Sequence, residues 1–312
     1  MLCDVGGTNI RFATIKEPAG GIENYRSYKC LAFDNFTKAL QHYHEQFPAN
    51  RLFLCAAGPI NGGEIKLVNG SWPLVLSQAK KELGFVEVMA INDVAAIACA
   101  LPKLTSDDVR KISCSLGQEF GDAKGDTKVV IAPGSGLGVS ALVEYNGMYK
   151  AIATEGGHTS ARSFDDLDVK VINLLQNKYG HVSIERLVSG MGIVNMFNSL
   201  HVLDGRSAPD LSAEQITERA KQGCQYSKKT YSKFSQHLGS FCGDVALLYG
   251  ATAGVYLAGD LLEKLDGLFD EQLFRNSFIA KGRFENYLHE VPTFKIQHPY
   301  PALLGLQAWQ LS

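Results

Sequence analysis

Several short stretches of this chain hold residue types that could handle a phosphorylated ligand, a hydroxylated one and a proton moving between them. Asp4-Val5-Gly6-Gly7-Thr8-Asn9 sets a carboxylate beside two glycines and a Thr-Asn pair. Glycines at a turn let several backbone N–H groups face one way, and a neighbouring carboxylate can hold a hydrated cation; that suits a polyphosphate with its metal. The residues that follow read as strand, with Ile10, Phe12 and Thr14 on one face and Arg11, Ala13 and Ile15 on the other. A P-loop or a dinucleotide fingerprint would open a helix here instead. Taken alone, the stretch reads more simply as a Gly-Gly hairpin turn.

A second glycine turn, Pro133-Gly134-Ser135-Gly136-Leu137-Gly138, lies between the strand-like runs Lys128–Ala132 and Val139–Tyr145. Strand, glycine turn, strand thus occurs twice, a small domain apart, as a repeat of pattern and not of residues. Asn92-Asp93 falls where the strand-like Phe85–Ile91 gives way to an Ala-rich helix. Ligands of α/β proteins bind at such strand ends, and the helix dipole favours an ionised carboxylate that could accept a proton from a hydroxyl. Simple helix capping explains the same pair. Glu155-Gly156-Gly157-His158 reads as a loop holding a carboxylate and an imidazole near one small hydroxylated ligand, or as a surface turn. Glu185, at the start of a short helix, stabilises that helix with or without a ligand. Ser189-Gly190-Met191-Gly192 is expected to end it or reorient the chain.

The elements that must position these residues alternate between strand and helix, which predicts α/β architecture with two sheets. Asn35–Phe47 has helical spacing, Arg51–Ala57 reads as a buried strand, and Asn61-Gly62-Gly63 as a turn before a strand at Glu64–Val68. Ser77–Leu83 is predicted to be a helix capped by Ser77 and closed by Gly84. Asn146-Gly147 signals a hairpin. Thr217–Tyr226 and Ser232–Tyr249 are the clearest helices of the second half. Val255–Ala258 and Phe294–Gln297 are late strands, and Leu303–Gln310 a closing helix.

With 46% hydrophobic and 20% charged residues and a net charge of −2, no basic excess points to nucleic acid or an anionic membrane. No apolar run reaches membrane-span length and no secretory signal is readable, so a soluble cytoplasmic protein is expected. The seven cysteines form no Cys-x-x-Cys pair, and neither a disulfide framework nor a zinc knuckle is expected.

Together these segments resemble the bacterial-type glucokinase family, within the larger group of hexokinase, actin and chaperone ATPase folds. The resemblance runs from DVGGTNIRFA through AAGPING, NGSWPL, INDVAAIA, APGSGLGVS, EGGHTSA, ERLVSGMGIVN and KGRF to PALLG. The cysteine-rich zinc motif of repressor-related sugar kinases is missing. The resemblance implies a two-domain actin-like ATPase (ribonuclease H-like) α/β fold with a nucleotide and sugar cleft between the domains. Residues 1–103 plus 294–312 would form a small domain and 104–293 a large one. It further implies ATP and Mg²⁺. The first phosphate turn would be Asp4, Val5, Gly6, Gly7, Thr8 and Asn9, with Asp4 near the Mg²⁺ through water. Ser135, Gly136, Leu137 and Gly138 would form the second turn, and Gly259 would contact adenosine. Asn92, Asp93, Glu155, His158 and Glu185 would bind glucose, Asp93 being the general base for its 6-hydroxyl. A cytoplasmic homodimer making glucose 6-phosphate at the entry to glycolysis is the implied whole. Rival expectations are a kinase for another hexose, polyphosphate as donor, or a non-catalytic sugar-binding regulator. Cys3 and Asp260 stand where the family usually has glycine. Asp260 is therefore expected to crowd the nucleobase side or to place a charge near the ribose. With only Met1-Leu2-Cys3 before Asp4, either the first strand is short and loosens Asp4 or the true start lies upstream.

Overall fold

The computed structural model describes residues 1–16, 20–58, 60–61, 64–66, 72–112, 119–265 and 267–310. Gly62-Gly63 of the expected turn, and the end of the expected strand at Leu67-Val68, lie outside the described residues. The chain divides into two compact units, Met1–Thr105 with Leu142–Ala153 and His298–Ser312, and Ser106–Ala141 with Thr154–Gln297.

In the first unit β1 (Leu2–Val5), β2 (Asn9–Lys16), β3 (Gly21–Lys29) and β4 (Arg51–Ala56) precede a small sheet of β5 (Ile60–Asn61), β6 (Glu64–Lys66) and β7 (Pro73–Val75). With β8 (Glu87–Asn92) the main sheet has the order β3-β2-β1-β4-β8. β1 is short, as expected, but not loose. All its residues are buried, and it is hydrogen-bonded on both sides, antiparallel to β2 and parallel to β4.

Both faces of this sheet are covered, which explains why β2 does not simply alternate. Ile10 and Phe12 pack under α1 (Phe36–His44) and α2 (Leu76–Leu83), while Ala13 is buried against the C-terminal helix Pro301–Trp309. A register shift between Phe12 and Thr14 accompanies the change. α2 starts one residue before Ser77, its N-cap position is Val75, and no side chain caps it; the expected Ser77 cap is not formed. Gly84 closes the helix at φ +72°. α3 (Asp93–Ala100) lies so close to the C-terminal helix that a Cβ on Gly305 would fall 1.7 Å from the Ala96 carbonyl.

The six-stranded sheet, whose strands belong to the second unit except for the hairpin segment Leu142–Ala153, is built from β9 (Val109–Lys111), β10 (Thr127–Pro133), β11 (Leu137–Tyr145), β12 (Met148–Thr154), β13 (Val255–Leu257) and β14 (Thr293–Ile296), ordered β12-β11-β10-β13-β14-β9. Asn146 and Gly147 take the positive φ values, +51° and +76°, of a tight hairpin. β14 pairs with β13 and β9, so the chain leaves this unit at His298 and not at residue 294.

The helices are α4 (Asp166–Tyr179), α5 (Gly190–Leu203), α6 (Ala213–Lys221), α7 (Gln225–Tyr249), α8 (Asp260–Lys264), α9 (Glu271–Ile279) and α10 (Glu285–Glu290). The helix expected over Thr217–Tyr226 is split. Gly223 adopts φ +96°, and α7 restarts after Cys224. Burial works against ionisation of Cys224, yet hydrogen bonds from Ser227 and the Tyr226 backbone bring its thiol below the ordinary value.

Asp168 on α4 is fully buried beside Lys233 and His237 of α7, with Lys233 Nζ 3.0 Å and His237 Nε2 3.3 Å from its Oδ1. Burial alone would raise the Asp168 pKa, but the hydrogen bond and charge of His237, with those of Lys233, bring it down to about 2. A depressed carboxylate contributes stability that is present above its ordinary pKa of 3.8 and lost as pH falls toward about 2. Wild-type protein should therefore lose stability between these values in urea melts at stepped pH. Asp168→Asn should be about 3 kcal/mol less stable at neutral pH and show a flatter acid limb; equal stability of the two proteins at pH 7 would contradict this.

Candidate active site

Strand register sets the first half of the site. Val5, Ala56 and Asn92 are level across β1, β4 and β8. The first glycine turn and the Asn92-Asp93 pair therefore leave the same carboxyl edge, about 10 Å apart across two strand spacings. The turn is closed by the Gly6 amide donating to the Asn9 carbonyl at 3.0 Å, and the Cys30 amide donates to the Thr8 carbonyl at 2.9 Å. Neither Gly6 nor Gly7 uses the left-handed region expected of a glycine turn. At Gly6 the need is space, since a Cβ would stand 3.2 Å from the Asn9 carbonyl oxygen.

Asp4 is nearly buried, and Arg11, its partner in the β1–β2 register, donates to its Oδ2 at 2.8 Å. The Cys55 thiol lies 3.5 Å from Asp4 Oδ1. Burial first, then the charges of Asp4 and Asp93, push that thiol far up, so it remains protonated and donates. One buried group thus senses both carboxylates. Asn92 caps α3, its Oδ1 accepting from Val94 N at 3.0 Å and Ala95 N at 3.1 Å. The capping reading therefore holds for Asn92, while its side-chain NH₂ keeps donors for another partner. Asp93 is the first residue of α3, at the positive end of the helix dipole, and its Oδ1 accepts from Val94 N at 2.9 Å.

The second half lies wholly in the other unit. The turn after β10 is closed by the Gly134 amide donating to Gly136 O at 2.8 Å. β13 pairs with β10, so Gly259 follows at the same edge, at φ +100°, with room for a Cβ only 3.0 Å from Pro133 O. Asp260 is the first residue of α8, where a carboxylate suits the helix start.

Glu155 precedes a 3₁₀ turn at Gly156–His158, and its Oε2 lies 3.8 Å from His158 Nε2, with both side chains more than half exposed. The glycines between them permit close approach: a Cβ on Gly157 would lie 2.1 Å from Leu137 O. The next segment is joined to this loop by Ile184 N donating to Thr159 O at 2.8 Å. Glu185 sits in a 3₁₀ turn, and its Oε2 accepts from Leu137 N at 2.9 Å. Ser189 does not end a helix but begins one, its hydroxyl accepting from Gly192 N at 3.0 Å as the cap of α5.

The expected residues thus gather into two clusters, one per unit: Asp4–Asn9 with Asn92 and Asp93, and Ser135–Gly138 with Glu155, His158, Glu185 and Gly259. Arg11, Cys55 and the Glu185–Leu137 bond were not foreseen. Arg11 was findable, since a hairpin closing at Gly6–Asn9 pairs Asp4 with Arg11; the other two need tertiary structure. Among the described residues there is no group of three or more His, Cys, Asp or Glu side chains able to hold a metal. Nor is any helix long and apolar enough to cross a membrane.

A glycine turn at the carboxyl edge of each of two α/β sheets, with a carboxylate at a helix start on that edge, fits a phosphotransferase of the actin-like ATPase fold. The sequence profile of the Glucokinase family matches residues 1–312, and the chain belongs to that family. A glucokinase of Photorhabdus laumondii subsp. laumondii is 32% identical over 309 residues, 98% of this chain and 94% of its own. A crystal structure of glucokinase from an Antarctic psychrotroph matches at a TM-score of 0.85 and 32% identity, over 100% of this chain and 98% of that one. A ROK-family glucokinase from Streptomyces griseus, in complex with glucose and AMPPNP, shares the fold at a TM-score of 0.64 and 18% identity, over 98% and 96% of the two chains.

The packing of the Glu155–His158 loop makes a direct prediction. Gly157→Ala should destabilise the protein by about 1–3 kcal/mol, because backbone must move to admit the methyl group. Gly134→Ala, where nothing lies within 4 Å of a built Cβ, should melt within about 0.5 kcal/mol of wild type. Calorimetric melts compare the two, and equal melting would show that the loop gives way freely.

Proposed function

We propose that the protein transfers the γ-phosphoryl group of MgATP to the 6-hydroxyl of D-glucose, giving glucose 6-phosphate and ADP. The observation that carries this reading is the shared edge of the first glycine turn and Asp93, supported by family membership. The glucose and AMPPNP bound by the Streptomyces griseus enzyme support sugar and nucleotide as the substrate pair.

Phosphoryl transfer needs positioning and charge neutralisation more than covalent chemistry. Backbone amides of both turns would hold phosphate oxygens, and Gly259 would approach the adenosine. Asn92, Asp93, Glu155, His158 and Glu185 would read the sugar hydroxyls. Asp93, at the helix start, would take the proton from the attacking hydroxyl. When bound, Mg²⁺ would neutralise charge on the transferring phosphates. Asp4 fits a cation held through water: its oxygens already accept from Arg11 and Cys55, and a carboxylate keeps further lone pairs for a bound water. Direct ligation would compete with the Arg11 pair. A cytoplasmic, homodimeric enzyme supplying glycolysis is the cellular reading that goes with this chemistry.

Purified protein with Mg²⁺ and ATP should release ADP only when glucose is present, followed by a coupled optical assay. Glucose binding without turnover would instead favour a sugar-binding regulator. Asp93→Asn should lower kcat by about 10²–10⁴-fold while glucose still binds; near-normal turnover would remove Asp93 from the base role. Asp260→Gly should lower the KM for ATP if the side chain crowds the nucleotide, and an unchanged KM would show that it does not.

A further inference from the structure

We propose that Glu185 is a positioning residue for the second glycine turn: its carboxylate sits on the turn as an internal anion, and a sugar hydroxyl, by offering it another partner, would draw it off. This rests on the function proposed above.

The Leu137 amide, which a phosphoryl oxygen would use, already donates to Glu185 Oε2 at 2.9 Å. A hydrogen bond to an ionised acceptor is shorter and stronger than one between neutral groups. The seat is built for that carboxylate. A Cβ at residue 136 would lie 2.7 Å from the same oxygen, so a side chain there would push the carboxylate aside. The Glu185 backbone is held by the Ser189 hydroxyl donating to Glu185 O at 2.7 Å. The far side of the turn is held by Gly190 N donating to Gly134 O at 2.8 Å. The segment that carries the carboxylate therefore also braces the turn.

Two anions cannot share one amide donor at contact distance without strong repulsion. While Glu185 occupies Leu137 N–H, a nucleotide phosphate gains less from this turn. A sugar hydroxyl is a donor and offers the carboxylate another partner. Sugar binding would then free the amide, so nucleotide affinity rises only when the acceptor is in place. Linkage makes the effect reciprocal, with nucleotide tightening sugar by the same factor. With no sugar bound, weak phosphate binding also disfavours transfer to water.

Binding of MgAMPPNP to the full chain, measured by calorimetry with and without saturating glucose, tests this. Wild type should bind the nucleotide about ten-fold tighter with glucose, within the usual range of coupling between sites. Glu185→Gln keeps an acceptor but loses the charge, and it should bind about ten-fold tighter than wild type without glucose. Glu185→Asp, too short to reach Leu137 from the same backbone, should also bind tighter. A variant that merely misfolds would bind more weakly. Glu263→Gln on α8 removes a charge elsewhere in the unit and should leave nucleotide affinity unchanged. The proposal falls if Glu185→Gln binds no tighter than wild type, or if Glu263→Gln tightens binding equally. If wild type still forms ADP with glucose in that case, this inference alone falls. If wild type binds no glucose, the functional reading falls as well and takes this inference with it.

Discussion

The candidate site of the second unit depends on one close approach of backbone to backbone, that of Gly157 to the carbonyl of Leu137. Leu137 opens β11, and its other polar group, the amide, is taken by Glu185. A single residue therefore fixes the height of the Glu155–His158 loop through its carbonyl and the position of Glu185 through its amide. Ile184 then links back to Thr159, closing a ring of three segments that are distant in sequence. Any side chain at residue 157 would open this ring. The glycine pair is required there by space and not by backbone torsion, because neither Gly156 nor Gly157 adopts a positive φ.

The first unit solves the same problem by strand register. Its glycine turn and its Asn92-Asp93 pair are not packed on one another but hang from parallel strands held level by β4. Parallel neighbours buried on both faces leave little freedom to slip, since a shift of one residue would carry Leu2, Leu54 and Phe53 to the wrong layers. The short β1 needs no extra length, because it gains hydrogen bonds from both sides.

Much of this was legible in the residues. Hydrophobic runs such as Arg51–Ala56, the Asn146-Gly147 hairpin and the glycine closing α2 act locally, and each formed near its expected place. Local signals failed where a tertiary neighbour decided the outcome. Ser77 reads as a cap, but the helix enters directly from β7 and its first turn is buried through Leu76. Thr217–Tyr226 has helical spacing, yet the chain must turn at Gly223 to bring Tyr231 of α7 back against Thr217, whose hydroxyls meet at 2.7 Å. The end of the large domain was misplaced for a similar reason, since pairing of β14 with β13 and β9 is invisible until strands are assembled. Ser189 was expected to end the short helix at Glu185 or reorient the chain, because the glycines around it hide the start of α5. At the candidate site, residue types with unusual neighbours were findable; a carboxylate bonded to one amide of a turn was not.

The Cys55 thiol, which donates to Asp4 and feels the charge of Asp93, has a consequence for redox chemistry. Oxidants attack thiolates, and burial together with two nearby carboxylates keeps Cys55 protonated well above neutral pH. Cys3 and Cys242 are buried and held protonated in the same way. Among the described cysteines, Cys224, partly exposed at the head of α7 and with its thiol shifted downward, is the group that peroxide would meet first. Damage of that kind would fall at a helix start in the second unit, and the edge bearing Asp4 and Asp93 would remain chemically intact.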